Sequence, residues 1–339
     1  MRRFITYSIS LFFISLCSAA FADHDIKHVK DVVWASPKGF NLTLDIAIPE
    51  TKTTAKPVLV IFHGGGFLLN NKSIMTDLAD SIASKTDVIT VNANYRLLSD
   101  VENTTTINEI IEDGMGAVLW VKDNIKQYGG DPSKVAVTGD SAGGHLAAML
   151  VVAGRHLNSD GFAKKPLGFK PTYLPKGMTA EQVANKDGLK IQAAILSYAG
   201  FNLLRMVDNG FEGGGNPFWQ WAHAKPRGFF GDKINAKDNP EYYLALSPDQ
   251  YLVSAKEYTF APQFIHVGEL DTLTKPEFAK TYVEQLTNLG QSVQFKMYPG
   301  KSHGFLDSGC NDYNHGCFKD LSKPAVDDMV SFLNSVFKL

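Results

Sequence analysis

The stretch VAVTGDSAGGHLAAMLVVAG, Val135 to Gly154, changes character halfway along its length. Val135 to Gly139 is a short β-branched run, the pattern of a strand buried on both faces. From Ala142 onward good helix formers dominate, with Leu146, Ala147, Met149 and Leu150 among them. Between the halves stands GDSAG, Gly139 to Gly143, a fit to G-x-S-x-G, in which a serine occupies a strained strand-to-helix turn. Small glycines on either side let such a turn approach its neighbours closely. A strand passing through a turn into a helix is one beat of an α/β alternation.

The same beat recurs along the chain. VLVIF (Val58 to Phe62), VITVNA (Val88 to Ala93), IQAAILSY (Ile191 to Tyr198), FIHVG (Phe264 to Gly268) and VQFKMY (Val293 to Tyr298) read as further strands. Helical patterns fall at 74–84, 107–128, 142–152, 276–289 and 324–337, and residues 32–35 and 42–48 suggest an antiparallel entry hairpin. Near-continuous apolar strands alternating with helices predict a mostly parallel central sheet with helices on both faces. Two long connections, 154–189 and 200–262, are too long for structureless loops in a compact domain and read as cap or lid insertions over the C-terminal edge of the sheet. Phe211, Phe218, Trp219, Trp221, Phe229 and Phe230 in the second are candidates for an acyl pocket or for a small core of the cap itself.

A second fit to G-x-S-x-G, GKSHG at Gly300 to Gly304, forces a choice. Ser302 follows a strand but leads into FLDSGCNDYNHGC, a loop, so only Ser141 has the strand and the helix that a nucleophile turn requires. A serine hydroxyl needs a base to take its proton, and the base needs a carboxylate to orient it. In chain order Ser, Asp/Glu, His, the base is His303 and the acid lies in GELDTLT after FIHVG. GKSHG therefore matters for its histidine. Glu269 and Asp271 compete for the acid; Asp271 is preferred because Gly268 lets the chain bend and carries the farther residue beyond the sheet edge. HGGGF, His63 to Phe67, directly after VLVIF, offers closely spaced backbone N–H groups for an oxyanion, and the N–H of Ala142 adds a donor at a helix start.

The chain has 339 residues, 44% hydrophobic and 20% charged, with a formal net charge of -2. No Lys/Arg run of the kind that neutralises phosphates is present, which argues against nucleic acid as a partner. Arg2 and Arg3, an apolar run from Phe4 to Cys17, and Ala20-Phe21-Ala22 together have the form of a secretory signal peptide, residues 1–22, cleaved after Ala22. The run is too short for a mature anchor, so soluble export to the periplasm or medium is expected, with no stable membrane insertion. A lipoprotein site at Cys17 is the rival, weakened by the bulky Leu16. Once Cys17 is removed, Cys310 and Cys317 remain in an oxidising compartment and are expected to pair. His315 between them suggests a metal site, but a cage with no fourth ligand is a poor one for zinc.

HGGGF, NYRL (Asn94 to Leu97), YGGDP (Tyr128 to Pro132), GDSAGGHL and GELDTLT together resemble the hormone-sensitive-lipase-like carboxylesterases of the α/β-hydrolase superfamily. The resemblance covers residues 23–339 in large part, and KSHGF is similar to the histidine loop of that family. It implies a cofactor-independent esterase for short acyl or aryl esters, with Ser141, Asp271 and His303 as triad and Gly65, Gly66 and Ala142 as oxyanion hole. Its variants are an acetyl- or feruloyl-type esterase on polysaccharide decorations, and the competing class is a hydrolase-fold binding module without activity.

Overall fold

A computed structural model describes residues 23–163, 167–311 and 315–339. The segment read as a signal peptide, with its cleavage site and Cys17, lies outside the described residues. The strands of the central sheet are β1 (Ile26–Ala35), β2 (Leu42–Pro49), β3 (Lys56–Phe62), β4 (Ile89–Ala93), β5 (Gly130–Asp140), β6 (Ala193–Ser197), β7 (Gln263–Gly268) and β8 (Val293–Tyr298). They form one eight-stranded sheet in the order β1-β2-β4-β3-β5-β6-β7-β8. The entry hairpin β1–β2 is antiparallel, β2 also pairs antiparallel with β4, and every later pairing is parallel.

Burial along the strands explains the apolar runs. Every residue of β3, β4, β6 and β7 is buried, because helices cover both faces, whereas the edge strand β8 alternates between half-buried and exposed positions until the buried Tyr298 at its end. The covering helices are Thr76–Lys85, Ile107–Asn124, Ala142–Ala153, Pro276–Asn288 and Lys323–Phe337. Among the described residues no helix is long and apolar enough to cross a membrane.

The parallel register sets the place of the site. Phe62 pairs with Gly139, Asp140 with Ser197, Ser197 with His266, and Gly268 with Tyr298, so β3, β5, β6, β7 and β8 end nearly level. Neighbouring strands are about 4.8 Å apart. Loops leaving these ends therefore meet within one or two strand widths.

The structure treats the two long insertions differently. Residues 200–262 fold as short helices, Leu203–Asp208, Pro217–Trp221 and Pro240–Leu244, beside the strand ends. Arg227 fastens this segment: its guanidinium donates to the carbonyls of Leu98 at 2.7 Å and Thr105 at 2.5 Å. Residues 154–189 touch both that segment, where the Phe162 ring lies 6.1 Å from that of Phe230, and the Ile107–Asn124 helix, where Lys170 N–H donates to Glu112 Oε1 at 3.0 Å and Thr172 N–H to the Glu112 carbonyl at 3.0 Å. No described residue of that segment lines the cavity at the strand ends.

Candidate active site

Ser141 follows the last residue of β5 and precedes the Ala142–Ala153 helix, with φ 51° and ψ −115°. A non-glycine residue in such a conformation is strained and must be held by its surroundings. Ser141 N–H donates to the Ser197 carbonyl at 2.9 Å, and the Ser141 carbonyl accepts from His145 N–H at 3.0 Å. The glycines of GDSAG are required by close approach. A Cβ on Gly139 would lie 2.3 Å from backbone atoms of Gly143, and one on Gly143 would lie 2.1 Å from the carbonyl oxygen of Phe62. The helix start is thus wedged between the ends of β5 and β3.

His303 leaves β8 through the turn at Gly300, and Asp271 leaves β7 just past Gly268. His303 Nε2 lies 2.9 Å from Ser141 Oγ, and Nδ1 lies 2.8 Å from Asp271 Oδ2. A proton on Nδ1, donated to the carboxylate, leaves the Nε2 lone pair facing the serine hydroxyl. Asp271 is 4% exposed and its Oδ1 accepts from the N–H groups of Leu273 and Thr274, both at 2.9 Å. Gly268 works by close approach: a Cβ there would lie 2.3 Å from the Lys301 carbonyl oxygen, to which Leu270 N–H donates at 2.8 Å. Glu269 is exposed and accepts from Gly300 N–H at 3.0 Å, so it braces the histidine loop from outside.

Sequence reasoning missed Thr274 and Tyr198. Thr274 Oγ1 lies 2.9 Å from Asp271 Oδ2 and 2.7 Å from the Tyr198 carbonyl, so its hydroxyl helps fix the carboxylate. The D-x-x-T spacing in DTLT, typical of an aspartate that caps its own following turn, was an available signal. The Tyr198 ring meets that of His303 edge-on at 4.8 Å between centroids, and no sequence pattern marks it. Behind them sits an acidic pair. Burial, and then the charge of Asp307, pushes the Asp140 carboxyl well above its ordinary range, and burial lifts Asp307 to about 6.

HGGGF forms a tight loop in which Gly65, Gly66 and Phe67 have φ of 116°, 61° and 61°. A Cβ on Gly65 would lie 2.2 Å from the Leu69 carbonyl oxygen, so only glycine fits. His63 of this motif is structural. Its ring is buried on Tyr95 at 4.3 Å, Nδ1 faces the Gly64 carbonyl at 2.7 Å, and burial drops its pKa to about 4, keeping it neutral. Gly66, Ala142 and Ser141 all line the cavity, and Ala142, at the first position of its helix, has no intrahelical acceptor for its N–H.

A second serine–histidine contact is buried inside the sheet. Ser197 Oγ lies 2.9 Å from His266 Nε2, but both residues are 0% exposed and burial drops the His266 pKa to about 3. No substrate reaches this pair, and His266 Nδ1 has no described partner.

The cavity over Ser141 holds about 690 Å³, within the usual range for small-molecule sites. The aromatics of 200–262 divide between cavity wall and buried core, with Trp221 in neither. Phe211 and Phe218 line the cavity, Trp219 and Phe229 are wholly buried, and Trp221 is 60% exposed. Phe230 packs on Tyr242 of the same segment and on Phe162 of 154–189.

Cys310 and Cys317 are joined by a disulfide, seven residues apart in sequence, downstream of His303. The loop before them is tied back where Gly309 N–H donates to Asp77 Oδ2 at 2.8 Å and Ser308 N–H to the Ile74 carbonyl at 2.8 Å. Replacing both cysteines by serine is expected to lower unfolding free energy by about 2 to 3 kcal/mol, the chain-entropy value for so short a loop. Denaturant melts of the double variant against wild type measure it, and equal midpoints would show that the bridge adds nothing.

A strained serine turn after a parallel strand, with histidine and acid loops on the strands beyond it, defines a hydrolase-type α/β fold. The chain belongs to the alpha/beta hydrolase fold family, whose model matches residues 59–307. It is 27% identical over 251 residues to carboxylesterase NlhH of Mycobacterium tuberculosis, covering 74% of this chain and 67% of that one. It is 25% identical over 267 residues to isoprenylcysteine alpha-carbonyl methylesterase ICME of Arabidopsis thaliana, covering 77% of this chain and 53% of that protein. The chain thus spans about half the length of the Arabidopsis relative. In fold it is similar to the native Est2 esterase of Thermogutta terrifontis, with a TM-score of 0.61 at 19% identity over 92% of this chain and 94% of that one. These likenesses agree with the hormone-sensitive-lipase-like carboxylesterase motifs of the sequence.

Proposed function

We propose that this chain is a serine carboxylic-ester hydrolase acting on small acyl or aryl esters through an acyl-enzyme. One observation carries the reading: the continuous hydrogen-bonded chain from Ser141 Oγ through His303 to buried Asp271, opening on a cavity. Ser141 Oγ attacks the ester carbonyl as its proton passes to His303 Nε2, and Asp271 stabilises the imidazolium. The N–H groups of Gly65, Gly66 and Ala142 take up the oxyanion charge. His303 then protonates the departing alcohol, and water, activated by the same base, releases the acid. No step needs a cofactor. The largely apolar wall formed by Phe67, Met206, Phe211 and Phe218 suits short acyl and aryl groups. We also place the protein outside the cytoplasm, on the form of residues 1–22 and on the disulfide. Sequencing the N-terminus of exported protein tests that, and a chain retaining Met1 in the cytoplasm would overturn it.

The test of the activity is a panel of para-nitrophenyl esters from acetyl to palmitoyl beside feruloylated and acetylated xylan, with an organophosphonate probe for the nucleophile. Turnover of the short esters and a label on Ser141 are expected. An unlabelled protein that hydrolyses none of them would instead favour the binding-module reading.

The oxyanion donors are tested at Ala142. Gly66, at φ 61°, is closed to proline, whose ring fixes φ near −65°. Ala142 is the first residue of its helix, a position open to proline, which removes the N–H, sets a ring carbon in its place and restrains Ser141 before it. Ala142→Pro is expected to lower kcat by roughly 10²- to 10³-fold with little change in KM. A variant that melts like wild type and keeps its kcat would remove Ala142 from the hole.

A further inference from the structure

We propose that Arg205, assisted by Lys275, selects esters that carry a carboxylate several atoms from the scissile carbonyl. The inference rests on the esterase reading and names a substrate class for the same cavity. Three side chains of fixed charge line that cavity with Ser141 and His303: Arg205, Lys275 and Asp249. The anion among them is engaged. Asp249 Oδ2 accepts from Asn202 Nδ2 at 2.8 Å and Oδ1 from Gln250 Nε2 at 3.1 Å.

The cations are not. Among the described residues, neither Arg205 nor Lys275 pairs with a carboxylate, although surface charges elsewhere do, as Lys323 with Asp327 at 2.6 Å. Arg205 is exposed on the short Leu203–Asp208 helix, yet its guanidinium is not a free tether: Cζ sits 4.9 Å from the centroid of the Phe278 ring. A cation held over an aromatic face keeps its place without spending its N–H donors, which remain able to receive a carboxylate. Phe278 belongs to the Pro276–Asn288 helix, and Lys275 is the residue that caps its start, so both cations border one side of the opening.

An apolar wall beside a guanidinium held over a ring, with no carboxylate partner among the described residues, fits a substrate with an apolar body and an anionic end. A monoester of a dicarboxylic acid carries the charge on its acyl side, and an ester of a hydroxybenzoate carries it on its alcohol side. Two neutral isosteres separate the sources. The mono-para-nitrophenyl ester of glutaric acid is compared with para-nitrophenyl pentanoate, and para-acetoxybenzoate with its methyl ester.

In wild type the ratio of kcat/KM, anionic over neutral, is expected to exceed that of Arg205→Gln by about two- to fivefold in one of the two pairs, the scale of an ion pair at an exposed site. Lys275→Gln lowers it less. Salt near 1 M collapses the ratio, since the Debye length shrinks to about 3 Å. Lys280→Gln, which removes a charge from the same helix outside the cavity, keeps the wild-type ratio and excludes a general field effect. A ratio unchanged by Arg205→Gln in both pairs, or lowered equally by Lys280→Gln, overturns the proposal. If wild type turns over no ester at all, the esterase reading fails, and Arg205 is judged by equilibrium binding of the glutarate monoester against the pentanoate ester.

Discussion

Ser141→Ala is expected to lower kcat by on the order of 10⁶-fold, the scale on which triad nucleophiles fail, and to abolish labelling by an organophosphonate. The oxygen removed is the one placed to pass a proton to His303 Nε2, 2.9 Å away. What remains is the proposed oxyanion loop and the cavity, and a residual, roughly 10³- to 10⁴-fold catalysis over water, as in such knockouts, is expected from them. Ser302→Ala, one residue before His303, is expected to stay within a few-fold of wild type. The Ser302 backbone serves the loop, since its carbonyl oxygen would lie 2.9 Å from a Cβ on Gly268, but no strained turn presents its hydroxyl at a helix start. Mass spectrometry of peptides from probe-treated protein checks both variants together. A phosphonyl group on Ser302, or full labelling of Ser141→Ala, would overturn the assignment.

The choice between these serines was open to sequence reasoning because it depends on local context. Strand, turn and helix occupy consecutive residues, and the glycines that permit the wedge stand inside the same motif. The parallel sheet was legible for a similar reason, since full burial on both faces imposes continuous apolar runs such as VLVIF. What sequence did not show was set by contacts between distant residues. Tyr198 meets His303 because β6 and β8 flank β7, a consequence of strand order that no local pattern encodes. The same holds for buried Asp140 beside half-buried Asp307, and for the segment 154–189, whose length suggested a cap. Its backbone partners are on the Ile107–Asn124 helix, an attachment invisible to periodicity. The small helices of 200–262, five or six residues each, are too short for a helical period to register.

Asp271→Asn is expected to lower kcat by as much as about 10⁴-fold, whereas Glu269→Gln keeps most of the activity. Sequence placed the two carboxylates two residues apart at a strand end and left the choice to how the chain bends. β7 stops at Gly268 and Asp271 N–H turns back to the Gly268 carbonyl at 3.2 Å, so one carboxylate goes outward to Gly300 and the other inward to His303. In the Asp271→Asn variant the two N–H groups of Leu273 and Thr274 still demand an acceptor at the Oδ1 position. The amide therefore keeps its oxygen there and turns its NH₂ toward His303 Nδ1. A donor at that point forces the ring proton to Nε2, where it faces Ser141 Oγ as a donor and can no longer accept the hydroxyl proton. Fold and cavity stay intact, so KM and melting temperature are expected to change little while kcat falls. The Glu269→Gln side chain, by contrast, still offers an amide oxygen to Gly300 N–H and leaves the histidine loop braced. Both variants are measured on one para-nitrophenyl acetate assay with thermal melts alongside. A larger loss of kcat for Glu269→Gln than for Asp271→Asn would transfer the acid role to Glu269 and leave the buried carboxylate as a turn cap.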